Sequence, residues 1–157
     1  MNRRPAQFLL LRNGAFTLLD VVMALAIFAI LAGIAIPNWA AQLPTYRLNS
    51  AARQIQSELH RIRSQAVAGN TDFRVVLLTP ALYRIERNNG ASYQHTGESK
   101  ALPDGITYGT ASADLISFTP RGTSNGGTIR LCNIKREGKS IIVLSSTGRI
   151  RVASGTC

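Results

Sequence analysis

The chain is poor in the residues that usually carry chemistry. Its 157 residues include two histidines, two cysteines and two methionines, and aromatic residues make up 6%. His60 and His95 stand at no ligand spacing from each other or from the cysteines, which argues against a metal centre. No Gly-x-Ser-x-Gly elbow, phosphate-cradling glycine loop or paired-histidine zinc motif occurs. These absences argue against the common hydrolase, nucleotide-binding and zinc-enzyme classes, so the sequence predicts a non-enzyme without cofactor or metal. There is no internal repeat, and 157 residues make one ordinary domain.

Acid is also scarce. Eight acidic residues face 18 basic ones, a formal net charge of +10, and the pI is about 10.8. Polyanions and acidic surfaces are therefore candidate partners. The first fifteen residues hold Arg3, Arg4 and Arg12 and no acid; without them, 15 basic residues against 8 acidic leave +7.

What is present is a long apolar run. Residues 16–36 contain one ionisable side chain, Asp20, among 21. At a rise of about 1.5 Å per residue such a helix spans roughly 30 Å, the thickness of a bilayer's hydrocarbon core. Arginines precede the run, while Arg47 and Arg53 follow at a distance, so the N-terminus is placed in the cytoplasm and everything after Pro37 outside. An ordinary signal peptide cut near Ala40 and Ala41 is one reading. Against it, the polar and small residues Arg12-Asn13-Gly14-Ala15 lie before the run, where a cut keeps the helix attached.

Gly14-Ala15-Phe16-Thr17-Leu18 resembles the type III leader of type IV pilins and type II secretion pseudopilins. The resemblance implies that a prepilin peptidase cuts ahead of phenylalanine and that the new N-terminus is methylated. Cutting after Ala15 makes Phe16 the first mature residue, Asp20 the fifth and Pro37 the twenty-second, where the family pattern has phenylalanine, an acid and proline. Cutting after Gly14, the alternative, misplaces all three. Alanine before the cut and aspartate for the usual glutamate are departures from the pattern. A lone carboxylate in hydrocarbon costs several kcal/mol unless paired or neutralised. In a filament of parallel helices the free amine of a neighbour's Phe16 is the implied partner of Asp20; uptake of a proton is the alternative.

Beyond the membrane, Leu48, Ala52, Ile55, Leu59, Ile62 and Ala66 recur every three or four residues on one apolar face, while Arg53, Arg61 and Arg63 fall on the polar side. Gly69-Asn70 is a stop signal, so one helix, with possible bends at Pro37 and Pro44, covers residues 16–68. Short apolar runs then alternate with turn residues. Strands are predicted near residues 73–79, 82–87, 115–119, 128–133, 140–145 and 150–153. The predicted organisation is a leader over 1–15, a pilin helix over 16–69 with its membrane span at 16–36, and a β-rich head over 70–157 in the periplasm or outside the cell. The predicted fold is α+β, with an antiparallel sheet packed on the amphipathic half of the helix.

Cys132 and Cys157 both reach an oxidising compartment in this topology, which makes a disulfide the default and two free thiols the alternative. Residues 121–157 hold seven basic residues and one acid, Glu137, a net +6. In a strand, Arg149 and Arg151 leave the same face and Ile150 the other. Lys135-Arg136-Glu137-Gly138-Lys139 reads as a hairpin tip that adds charge. Phe118-Thr119-Pro120-Arg121-Gly122 together with Gly148-Arg149-Ile150-Arg151 resembles the FimT, FimU and GspH branch of minor pilins. In FimT-type members a Gly-Arg-x-Arg element is associated with DNA binding in natural transformation. The resemblance implies DNA contact at Gly148, Arg149 and Arg151, with Lys135, Arg136 and Lys139 nearby; arginines that keep an edge strand soluble are the alternative. The implied partners are other pilin subunits, the prepilin peptidase, the inner membrane and DNA phosphates. The competing role is structural: a minor pilin or type II secretion pseudopilin that primes or caps a filament.

Overall fold

The computed structural model describes residues 16–110 and 112–157. The leader over 1–15, with both candidate cleavage positions, Gly14 and Ala15, on its side of the cut, lies outside the described residues. Thr17 and Asp20 open the helix as a reciprocal cap. The Thr17 amide and hydroxyl donate to the Asp20 carboxylate at 3.0 and 2.7 Å, and the Asp20 amide donates back to the Thr17 hydroxyl at 3.2 Å. Helix α1 then runs Leu18–Ala68, 51 residues, through Pro37 and Pro44. Its end is a Schellman turn: Asn70 takes φ +45°, Thr71 N–H donates to the Ala66 carbonyl at 3.2 Å, and Asn70 N–H donates to that of Val67 at 3.4 Å.

The chain divides into two compact units between Ala40 and Ala41. In the first, Leu18–Ile36 has a mean hydropathy of 2.6 and none of it is buried. Apolar side chains facing outward along a membrane-length helix require lipid or neighbouring helices to cover them.

The second unit is the head. Its strands are β1 Phe73–Leu78, β2 Leu82–Asn88, β3 Tyr93–His95, β4 Lys100–Ala101, β5 Ile106–Tyr108, β6 Leu115–Phe118, β7 Gly127–Asn133, β8 Glu137–Val143 and β9 Ile150–Thr156. They form two sheets, ordered β3-β2-β1-β6 with β4 also on β2, and β5-β7-β8-β9. Every pairing is antiparallel. The fold is α+β, with two sheets where a single sheet was predicted.

Alternation along the strands sends Phe73, Val75, Tyr83, Ile85, Ile116, Phe118, Ile129, Leu131, Ile141, Val143 and Ile150 into one core with Leu48, Ala51, Ala52, Ile55, Leu59, Ile62 and Ala66 of α1. Each fully buried aliphatic or aromatic side chain contributes about 1.5–3 kcal/mol, so the apolar face of the helix is what fastens the sheets to it. β8 starts at Glu137, three residues before the predicted strand. The Asn133 side-chain oxygen accepts from the Lys135 and Glu137 amides at 3.0 and 2.9 Å and closes the turn early. The tip is therefore residues 134–136, and Lys139 lies inside the strand.

Candidate nucleic-acid interface

The register of the second sheet decides which basic side chains meet. Ile129, Leu131, Ile141, Val143 and Ile150 are buried, so the alternate residues face outward: Arg130 on β7, Ser140 and Ile142 on β8, Arg151 and Ala153 on β9. The Leu144 amide donates to the Arg149 carbonyl at 3.0 Å, which carries the β8–β9 ladder one pair further and puts Arg149 on this outer face. Arg149 and Arg151 are exposed on either side of buried Ile150, as the two-residue spacing predicts.

Lys135, Arg136 and Lys139 are placed elsewhere. Glu137 and Lys139 share the parity of Ile141 and Val143, so they belong to the opposite face. Lys139 donates to the Ser154 hydroxyl at 3.1 Å. Lys135 donates to the Ala41 carbonyl. Glu137 accepts from Thr45 at 2.7 Å and Asn133 at 2.8 Å, and these two hydrogen bonds hold its carboxyl below the usual range. Arg136 sits in the turn at φ +62°. Three residues of strand, about 10 Å, separate Lys139 from the level of Arg151. The six predicted contact residues thus fall into two groups, with Gly148, Arg149 and Arg151 apart from the hairpin-tip cations.

Gly148 has a packing reason of its own. It takes φ +59°, and a Cβ there would lie 2.2 Å from the Gly122 carbonyl oxygen. Arg63 bridges the same two turns, donating from Nε to the Gly122 carbonyl at 3.0 Å and from Nη2 to that of Thr147 at 3.1 Å. The segments 118–122 and 148–151, remote in sequence, are one corner of the molecule with a helix arginine as its staple. The sequence pattern placed Arg63 on the polar side of the helix, and the structure turns it into the head, where it donates to these two carbonyls.

Four other cations are neutralised within the head. Glu58 pairs with Arg61 at 2.8 Å and with Lys100; buried Glu86 pairs with Arg74 at 2.5 Å and Arg84 at 2.6 Å. Among the described residues, Arg130, Arg149 and Arg151 have no carboxylate partner, nor do Arg53, Arg87, Arg121 and the hairpin cations; the three are set apart by sharing one outer sheet face. Arg130 is the functional candidate the sequence reading did not single out, since only the strand register reveals that it shares their face. Cys132 and Cys157 are joined, with Cα atoms 5.7 Å apart. The chain end passes over Gly138, where a Cβ would come within 3.0 Å of the Thr156 backbone. No group of three metal-ligating side chains converges among the described residues.

Comparison with known proteins matches residues 51–148 to the family described as Type II transport protein GspH. Solved structures of minor pilins and pseudopilins share the fold. The minor pseudopilin EpsH from the type 2 secretion system of Vibrio cholerae is 12% identical, with a TM-score of 0.57 over 69% of this chain and 97% of that one. The type IV minor pilin FimU of Pseudomonas aeruginosa is 19% identical, with a TM-score of 0.59 over 72% of this chain and 96% of that one. Curated proteins give no match. With a membrane-length apolar helix leading into a two-sheet head of this topology, and the family match spanning most of that head, the chain belongs to the GspH family of pilin-like proteins.

Proposed function

We propose that this chain is a minor pilin of a type IV pilus whose head binds extracellular DNA, without sequence preference, for uptake in natural transformation. The observation that carries the reading is the exposed pair Arg149 and Arg151 on an outer sheet face whose strand positions hold no carboxylate. Guanidiniums without internal partners on such a face are suited to phosphates, which supply sequence-independent affinity. The prepilin peptidase removes residues 1–15 and Phe16 is methylated. The helix first holds the protein in the inner membrane, with the head in the periplasm, and then packs among other pilin subunits, where Asp20 meets the Phe16 amine of a neighbour.

A structural minor pilin or type II secretion pseudopilin that primes or caps the filament is the second reading. It is favoured by the packing of Gly148, which gives the glycine of Gly-Arg-x-Arg a reason independent of DNA. The test uses the full chain in lipid nanodiscs, with duplex DNA binding followed by fluorescence anisotropy across a salt series. Replacing Arg149→Gln and Arg151→Gln together is expected to abolish most binding and to reduce the log-log salt slope by about one to two phosphate contacts. Absence of binding at low salt, or an unchanged double variant, leaves the structural role.

A further inference from the structure

We infer that Arg130 is a third phosphate-binding residue of this face, and that the face takes double-stranded nucleic acid, held from both sides of a groove. The inference rests on the assignment of Arg149 and Arg151 above and extends it to the form of the ligand. Arg130 lies opposite Ser140 and, one strand further, Ala153, while Arg151 lies opposite Ile142. Two strand spacings of about 4.8 Å and two residues of about 3.4 Å separate the Arg130 and Arg151 backbones by roughly 12 Å. Arg149 and Arg151, about 7 Å apart along β9 and its one-pair extension, follow one line, and Arg130 stands on another. Guanidinium arms on two lines about 10 Å apart can reach the phosphate rows that border a duplex groove, about 6 Å wide on the minor side and 12 Å on the major side. A single strand offers one row.

Two further observations agree. The outward positions of β7, β8 and β9 carry no aromatic side chain, so the face offers no platform on which unpaired bases stack. The residue beside Arg130 is Gly109, whose amide donates to the Arg130 carbonyl at 2.9 Å. A Cβ at Gly109 would lie 3.1 Å from the Arg130 Cβ, so glycine keeps the base of that side chain uncrowded. Ser112 clasps the same backbone, accepting from the Arg130 amide at 2.9 Å and donating to its carbonyl at 3.0 Å. Arg130 is held at both backbone groups while its side chain is exposed.

The full chain in nanodiscs is titrated with a fluorescent duplex and with the corresponding single strand. Tighter binding of the duplex is expected. Arg130→Gln should lower the duplex salt slope by about 0.9 and weaken duplex binding about tenfold at 50 mM salt, with the thermal unfolding midpoint unchanged. Lys139→Gln, on the opposite face, should leave both quantities alone. Equal affinity for single strand and duplex overturns the inference, as does an Arg130→Gln slope equal to wild type or a Lys139→Gln effect as large as that of Arg130→Gln. If Arg149→Gln with Arg151→Gln abolishes binding while Arg130→Gln does nothing, this inference fails and the proposed function stands. If the double variant binds as wild type, both fail.

Discussion

Gly148→Ala separates folding from binding within the Gly-Arg-x-Arg element. The substitution places a Cβ where Gly148 has φ +59° and where the Gly122 carbonyl oxygen is 2.2 Å away. Left-handed backbone costs a non-glycine residue roughly 1–2 kcal/mol. The contact cannot be relieved by a side chain swinging aside, because the obstructing atom is backbone. Gly122 has to move, and its carbonyl is the one that Arg63 Nε reaches at 3.0 Å. Losing a hydrogen bond to a charged group costs about 1.5–3 kcal/mol, so the variant should be about 2.5–5 kcal/mol less stable. The assay is urea unfolding of the full chain in detergent micelles with the disulfide intact, followed by tyrosine fluorescence and far-ultraviolet circular dichroism. Arg149→Gln, in the same turn but exposed, should shift stability by less than about 0.5 kcal/mol. A Gly148→Ala loss below about 1 kcal/mol would refute the reasoning, because the corner would then have slack that the Gly122 contact denies.

Three other outcomes follow from the same geometry. Replacing Cys132 and Cys157 by serine opens a loop of sequence separation 25 and should cost about 3–4 kcal/mol; a reduced wild type should unfold with the variant. Glu86 is pushed up by burial, but Arg74 and Arg84 outweigh this and hold its carboxyl below its ordinary 4.5. A depressed carboxyl stabilises the fold above the unfolded pKa and loses that contribution as pH falls through the folded value. Stability should therefore decline below about pH 4.5, and Glu86→Gln should cost about 1–2 kcal/mol at pH 7 while flattening that decline. Asp20→Asn keeps an acceptor for the Thr17 amide but loses the charge. If Asp20 pairs with a neighbour's amine, Asp20→Asn and Asp20→Ala should both insert in the membrane and both be depleted from filaments; normal incorporation of Asp20→Asn would leave Asp20 only its capping role.

Much of the fold was legible because it is written in local periodicity. The apolar run fixes the membrane-length helix, and the Leu48 to Ala66 spacing fixes the face that holds the head. β1, β2, β6, β7 and β9 lie within a few residues of their predicted positions because each is a short apolar run bounded by turn residues. β3, β4 and β5 have two or three residues each, too few to show a period. The division into two sheets is set by pairings between distant strands, which no window of sequence contains. The candidate site divides in the same way. Arg149 and Arg151 follow from a two-residue spacing, but Arg130 joins them only through the β7–β8–β9 register, and Lys139 leaves them because Asn133 tightens the turn ahead of β8. Arg63 is a polar-face residue by helical spacing and a staple by tertiary contact.

The mass of the mature protein, taken from membranes with its N-terminus sequenced, tests most directly whether this chain is a filament subunit. A product beginning at methylated Phe16 and retaining Leu18–Ile36 is the predicted result. A product beginning beyond Pro37 contradicts it, because a head released from its apolar helix has nothing with which to enter a filament.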